Sequence, residues 1–165
     1  MARRLAASLA GLGVLLLLAP SPATAAQKTL VDARRDAPAR FDITTVRATN
    51  TTGRLTVSTR FRALDGDGTQ IFGFSVQSSD RSESYMVTAV RRPSGRVKTV
   101  IDGTAPTDQC TTDTTWSPRQ DVIEVSVVGQ CLLPGAVRVT TFVGAGDGSY
   151  GDPSDFTRGF RVPQD

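Results

Sequence analysis

Residues 54–61, Arg54-Leu55-Thr56-Val57-Ser58-Thr59-Arg60-Phe61, alternate without a slip. In an extended chain Leu55, Val57, Thr59 and Phe61 fall on one side, and Arg54, Thr56, Ser58 and Arg60 on the other. One apolar and one wet face at a period of two predict a half-buried antiparallel strand. The neighbouring segments repeat the pattern. QIFGFSVQ (70–77) aligns Phe72, Phe74 and Val76, and SYMVTAVR (84–91) sets Tyr85, Val87 and Ala89 against Met86, Thr88 and Val90. RVKTVI (96–101), DVIEVSVV (121–128) and AVRVTTFV (136–143) alternate likewise.

FDITTVRAT (41–49) changes phase between Ile43 and Val46, which predicts a β-bulge. TLVDA (29–33) and FTRGFRV (156–162) read as edge strands. Turn residues separate the segments, among them NTTG (50–53), SSDRS (78–82), RPSG (92–95) and LPG (133–135). No stretch carries a sustained 3.6-residue period with helix caps. Eight or nine short strands at this spacing predict an all-β fold, a single antiparallel β-sandwich, with a closed barrel as the alternative.

LDGDGT (64–69) raises the question of calcium. An EF-hand loop needs glycine at its sixth position and a bidentate Glu at its twelfth. Counting from Asp65, these positions hold Gln70 and Val76. The segment reads instead as the hairpin turn between two strands, where Asp-Gly steps are favoured. A looser site pooling Asp65 and Asp67 with Asp147 and Asp152 of GAGDGSYGD is left open.

The first 25 residues have a different grammar. Arg3 and Arg4 precede an apolar stretch from Leu5 to Ala19, Pro20 and Pro22 break it, and Ala23-Thr24-Ala25 supplies a small-x-small pattern. That is the layout of a secretory signal peptide. A spanning helix needs about 20 apolar residues, and Ser8, Gly11 and Gly13 interrupt this one. The expectation is a signal peptide over 1–25, a domain over 26–165, an extracellular location and no membrane insertion after cleavage.

The formal charge of +3 overstates the basicity. Without Arg3 and Arg4, 17 of the 19 Lys and Arg residues face 16 acids, a balance of about +1. Those cations are spread along the chain, whereas nucleic-acid binding needs a concentrated basic face. No nucleic-acid partner is expected. Cys110 and Cys131 form an even pair in a small exported domain, which predicts one disulfide.

The chain has no histidine. This removes Ser-His-Asp and Cys-His catalysis, imidazole zinc sites and the usual haem ligand. Of the acids, fourteen are Asp and two Glu, most of them in turns or on wet strand faces. No carboxylate pair flanking a cleft can be assigned. No enzyme activity, cofactor or metal is expected. Trp116, the single tryptophan, falls in the polar stretch CTTDTTWSPRQ (110–120), and Tyr150 in GDGSYGDP; both read as loop residues. A flat ring flanked by Asp, Thr and Arg can stack on a sugar or anchor a protein. The opposing reading folds Trp116 back over the end of the sandwich.

The order VDARRDAPARFDITTVRATN, RLTVSTRFRAL, VIEVSVVGQCLLPGAVRVTTF and GDPSDFTRGF resembles a widespread group of secreted actinobacterial proteins of unassigned function. The matching positions are Asp36, Asp42, Ile43, Val46, Cys131 and Leu132. The layout is also similar to the sandwich of DOMON domains and family-nine carbohydrate-binding modules, which bind haem or sugars. The resemblance implies a fold more than an activity, since the haem histidine and the paired tryptophans of a sugar clamp are missing. The expectation is a secreted, non-catalytic module that binds a glycan or cell-wall surface through Trp116 and Tyr150. The alternative is an envelope protein-interaction or structural accessory domain without a small-molecule site. An aromatic cleft would favour the first, and a flat apolar patch the second.

Overall fold

The computed structural model describes residues 26–32, 35–146 and 154–165. The predicted signal peptide lies outside this range, as do Tyr150, Asp147 and Asp152. Within it, eleven strands form two antiparallel sheets. The five-stranded sheet contains β1 (Gln27–Val31), β2 (Ile43–Asn50), β3 (Leu55–Phe61), β7 (Cys110–Ser117) and β8 (Val122–Gly129), in the order β1-β2-β3-β8-β7. The six-stranded sheet contains β4 (Gln70–Ser78), β5 (Ser84–Arg91), β6 (Val97–Gly103), β9 (Val137–Ala145), β10 (Asp155–Phe156) and β11 (Phe160–Val162). Its order is β10-β9-β4-β5-β6, and β11 also pairs with β9. Phe156 sits opposite Phe142, and Phe160 opposite Val139. β10 and β11 are therefore one interrupted edge strand.

The alternation in RLTVSTRF decides the packing as expected. Leu55, Val57, Thr59 and Phe61 are all buried, and the core continues through Phe72, Phe74, Val76, Val87, Ile123, Val125, Val139 and Val143 of both sheets. Full burial of each such apolar side chain contributes roughly 1.5–3 kcal/mol. Phe61 of one sheet meets Phe72 of the other edge to face, with centroids 6.3 Å apart. The pairing of β2 with β3 slips between Ile43 and Thr45, which is the bulge predicted from the phase change. Cys110 and Cys131 are joined, their Cα atoms 5.9 Å apart. The bond ties the start of edge strand β7 to the segment that follows β8.

Two expectations need correction. LDGDGT is a turn, but not of a hairpin, because β3 and β4 belong to different sheets and the loop crosses between them. Asp65 Oδ1 accepts the Asp67 N–H at 3.1 Å and Gln70 Nε2 at 2.6 Å, and Gly68 has a φ of +72°. These bonds satisfy the turn internally. The stretch CTTDTTWS is strand, not loop. It pairs along its whole length with β8, Trp116 opposite Ile123. Threonine favours strands, and this edge strand buries none of its residues fully, so an apolar period never develops.

Candidate functional site

The side chains of a strand that do not enter the core stand on the sheet's outer face. On the six-stranded sheet the register places Phe156, Phe142, Gly73, Thr88 and Val100 in one row across five strands. A second row joins Thr140, Ser75, Met86 and Asp102, and a third joins Gly144, Ile71, Val90 and Lys98. Phe156 is 64 % exposed and Val100 40 %, so the row ends in two of the three large apolar side chains that are exposed among the described residues. Between them Phe142 and Thr88 are half-buried. Phe142 occupies the space over Gly73, where a Cβ would meet its ring and the Val87 carbonyl oxygen. The small residue in the central strand is what lets the ring settle onto the sheet.

The end of the face beyond Thr140 is cationic. Arg138 of β9 lies opposite Arg161 of β11 and Gln77 of β4. With Ser78, Ser79, Arg81 and Val137 these residues line a shallow notch of about 150 Å³. Three guanidinium groups on one notch suit a carboxylate or phosphate, which they bind in a planar fork. The notch is smaller than the roughly 300–1,000 Å³ of typical small-molecule pockets.

Trp116 is not on this face. It belongs to the other sheet, half-buried against the core, with its indole Nε1 buried and, among the described residues, given no hydrogen-bond acceptor. Tyr150 lies outside the described residues. Sequence reasoning that seeks contact aromatics in loops does not reach Phe142 and Phe156, because both lie in strands. A signal for Phe142 was present: in AVRVTTFV it shares the wet phase with Arg138 and Thr140, and an aromatic in that phase must face solvent or a partner.

Among the described residues, the carboxylates that meet are Asp36, Asp42 and Asp155. Asp65 and Asp67 do not join them; Asp65 pairs loosely with Arg40 at 4.0 Å besides serving its own turn. Among the described residues, no helix is long and apolar enough to cross a membrane. No family model matches the chain, and no curated protein matches it. Fold and face together define a disulfide-linked β-sandwich with one open apolar sheet surface.

Proposed function

We propose that the protein is a secreted, non-catalytic module of the cell envelope that docks a protein partner on the outer face of its six-stranded sheet. The observation that carries this reading is the row Phe156, Phe142 and Val100, apolar and partly exposed on an open sheet rather than enclosed in a cleft. Met86 and Val90 extend the apolar surface, while Arg138, Arg161, Lys98 and Asp102 surround it. An apolar, aromatic- and Met-containing centre with a charged margin is the anatomy of protein interfaces. The arginine notch would receive an acidic side chain of the partner. Export rests on the signal-peptide pattern over 1–25 and on the disulfide, which persists in an oxidising compartment. The absence of histidine from the whole chain supports a role without catalysis.

A glycan reading draws on the same face, since Phe142 is flanked by the hydroxyls of Thr140, Ser75 and Thr88. One experiment separates the two. A photo-reactive phenylalanine analogue at position 156 is exposed to envelope fractions, with the analogue at Glu124, on the other sheet, as control. A discrete protein adduct at position 156, lost when Phe142→Ser is added, is the expected result. Phe156-dependent sedimentation with purified wall polysaccharide, and no protein adduct, would replace the protein partner by a glycan.

A further inference from the structure

Three segments far apart in sequence bring carboxylates to one point. Asp36 lies in the β1–β2 connection, Asp42 immediately precedes β2, and Asp155 opens β10. One carboxylate oxygen from each lies within 4.8 Å of the others. Asp42 is 1 % exposed and Asp155 6 %, so two of the three charges are held out of water. Burying a carboxylate costs several kcal/mol unless it is paired and hydrogen-bonded.

Among the described residues, the partners present cover only part of that need. Arg62 Nε stands 2.8 Å from Asp42 Oδ2, and the Ile43 N–H donates to Asp155 Oδ2 at 2.7 Å. Among the described residues, Asp42 Oδ1, equally buried, receives no hydrogen bond. Among the described residues, Arg62 is the cation paired with these three carboxylates, and a buried oxygen of Asp42 is left without a donor.

We infer that Asp36, Asp42 and Asp155 form a binding site for a hard divalent cation, calcium by its tolerance of irregular oxygen shells, at the seam between the two sheets. The donor set is all oxygen, which selects calcium, magnesium or manganese over zinc or copper. Calcium accepts irregular shells of six to eight oxygens, whereas magnesium demands near-ideal octahedral geometry and gives up its water reluctantly. Carboxylates gathered from three separate segments suit the less demanding ion. Asp42 abuts β2 of the five-stranded sheet and Asp155 lies in edge strand β10 of the six-stranded sheet, so the ion would fasten one sheet to the other. With three protein carboxylates and water completing the shell, the affinity belongs with extracellular modules, about 10⁻⁴–10⁻³ M.

The test is calorimetric titration and thermal unfolding of the EDTA-treated protein with calcium or magnesium chloride. One calcium ion per chain and a melting midpoint raised by several degrees at about 5 mM calcium, with magnesium much less effective, are expected. Asp36→Asn changes only an exposed ligand and should fold normally, yet weaken calcium binding about tenfold or more. Asp155→Asn should weaken it further. Absence of calcium binding up to about 10 mM overturns the inference, as does undiminished binding in both variants. Loss of binding in Asp65→Asn, with Asp36→Asn unaffected, would place calcium at the Asp65 turn and overturn it equally.

Discussion

Phe142 occupies the volume that any side chain on Gly73 would need: a Cβ built there would lie 2.8 Å from the ring's Cε1 and 2.6 Å from the Val87 carbonyl oxygen. The pair sits directly opposite in the β4–β9 register, at the middle of the apolar row. Gly73→Ala should therefore cost about 1–3 kcal/mol, the range for overpacking. Adding Phe142→Ala should recover only part of that loss, because the Val87 oxygen is main chain and cannot turn away. Chemical denaturation of the single and double variants measures both effects. An unchanged midpoint for Gly73→Ala would show that the ring and the β4–β5 pairing give way freely, and would remove the glycine as the platform for Phe142.

Trp116 packs on the core from edge strand β7, opposite Ile123. Trp116→Ala should lower stability by about 3 kcal/mol, the low end for a large aromatic because the residue is half-buried. Partner capture through position 156, measured below the lowered melting midpoint, should persist. A variant with unchanged stability and no capture would return Trp116 to the role of contact.

The Cys110–Cys131 bond closes a loop with a sequence separation of 21. The chain-entropy account assigns about 3 kcal/mol to a loop of that size. The Cys110→Ser/Cys131→Ser protein should unfold about 2–5 kcal/mol more easily, with the loss appearing first as faster amide exchange along β7. Equal stability with and without the bond would mean that pairing to β8 alone holds the edge strand.

The β4–β5 turn contains an acid whose charge the fold favours. Asp80 Oδ1 accepts the Ser78 hydroxyl at 2.6 Å, the Ser82 hydroxyl at 2.7 Å and the Ser82 N–H at 3.1 Å. These bonds, that of Ser78 first, hold its carboxyl at about 2, below the ordinary 3.8. The contribution to stability is present above the ordinary value and is lost as pH falls toward 2. Carboxyl carbon shifts followed by NMR should show a midpoint near 2, rising in Ser78→Ala. A wild-type midpoint near 4 would mean that the serines do not hold this geometry in solution.

The parts of the fold legible in the sequence were those where burial differs between the two faces of a strand. RLTVSTRF and SYMVTAVR are half-buried, so their alternation records which side meets the core. Strand β7 was illegible for the complementary reason: CTTDTTWS runs along a sheet edge with half-buried threonines on one side and exposed polar residues on the other. Aspartates in LDGDGT announced a turn correctly, but a turn's chemistry does not say whether the next strand pairs or crosses to the opposite sheet. The candidate face depends on register. Phe142 and Phe156 become neighbours only because the chain returns antiparallel along β9. Asp36, Asp42 and Asp155 likewise meet through tertiary contact between the sheets, which no local pattern encodes.

Tyr85 is fully enclosed by the sandwich, yet among the described residues its hydroxyl has no hydrogen-bond partner. A buried polar group left unpaired costs roughly 1–3 kcal/mol, and the ring itself packs among apolar core residues. Tyr85→Phe keeps the ring and removes the cost, so it should be at least as stable as wild type and gain about 1 kcal/mol. Burial also raises the phenol's pKa above its ordinary 10.0, because the phenolate cannot be solvated there. The unfolded chain ionises this tyrosine first as pH rises. The wild-type protein should thus lose stability above about pH 10 more steeply than Tyr85→Phe does. Paired thermal melts at neutral pH and at about pH 10.5 read both expectations. A Tyr85→Phe protein less stable than wild type at neutral pH would show that the hydroxyl has a partner in solution, with buried water the first place to look.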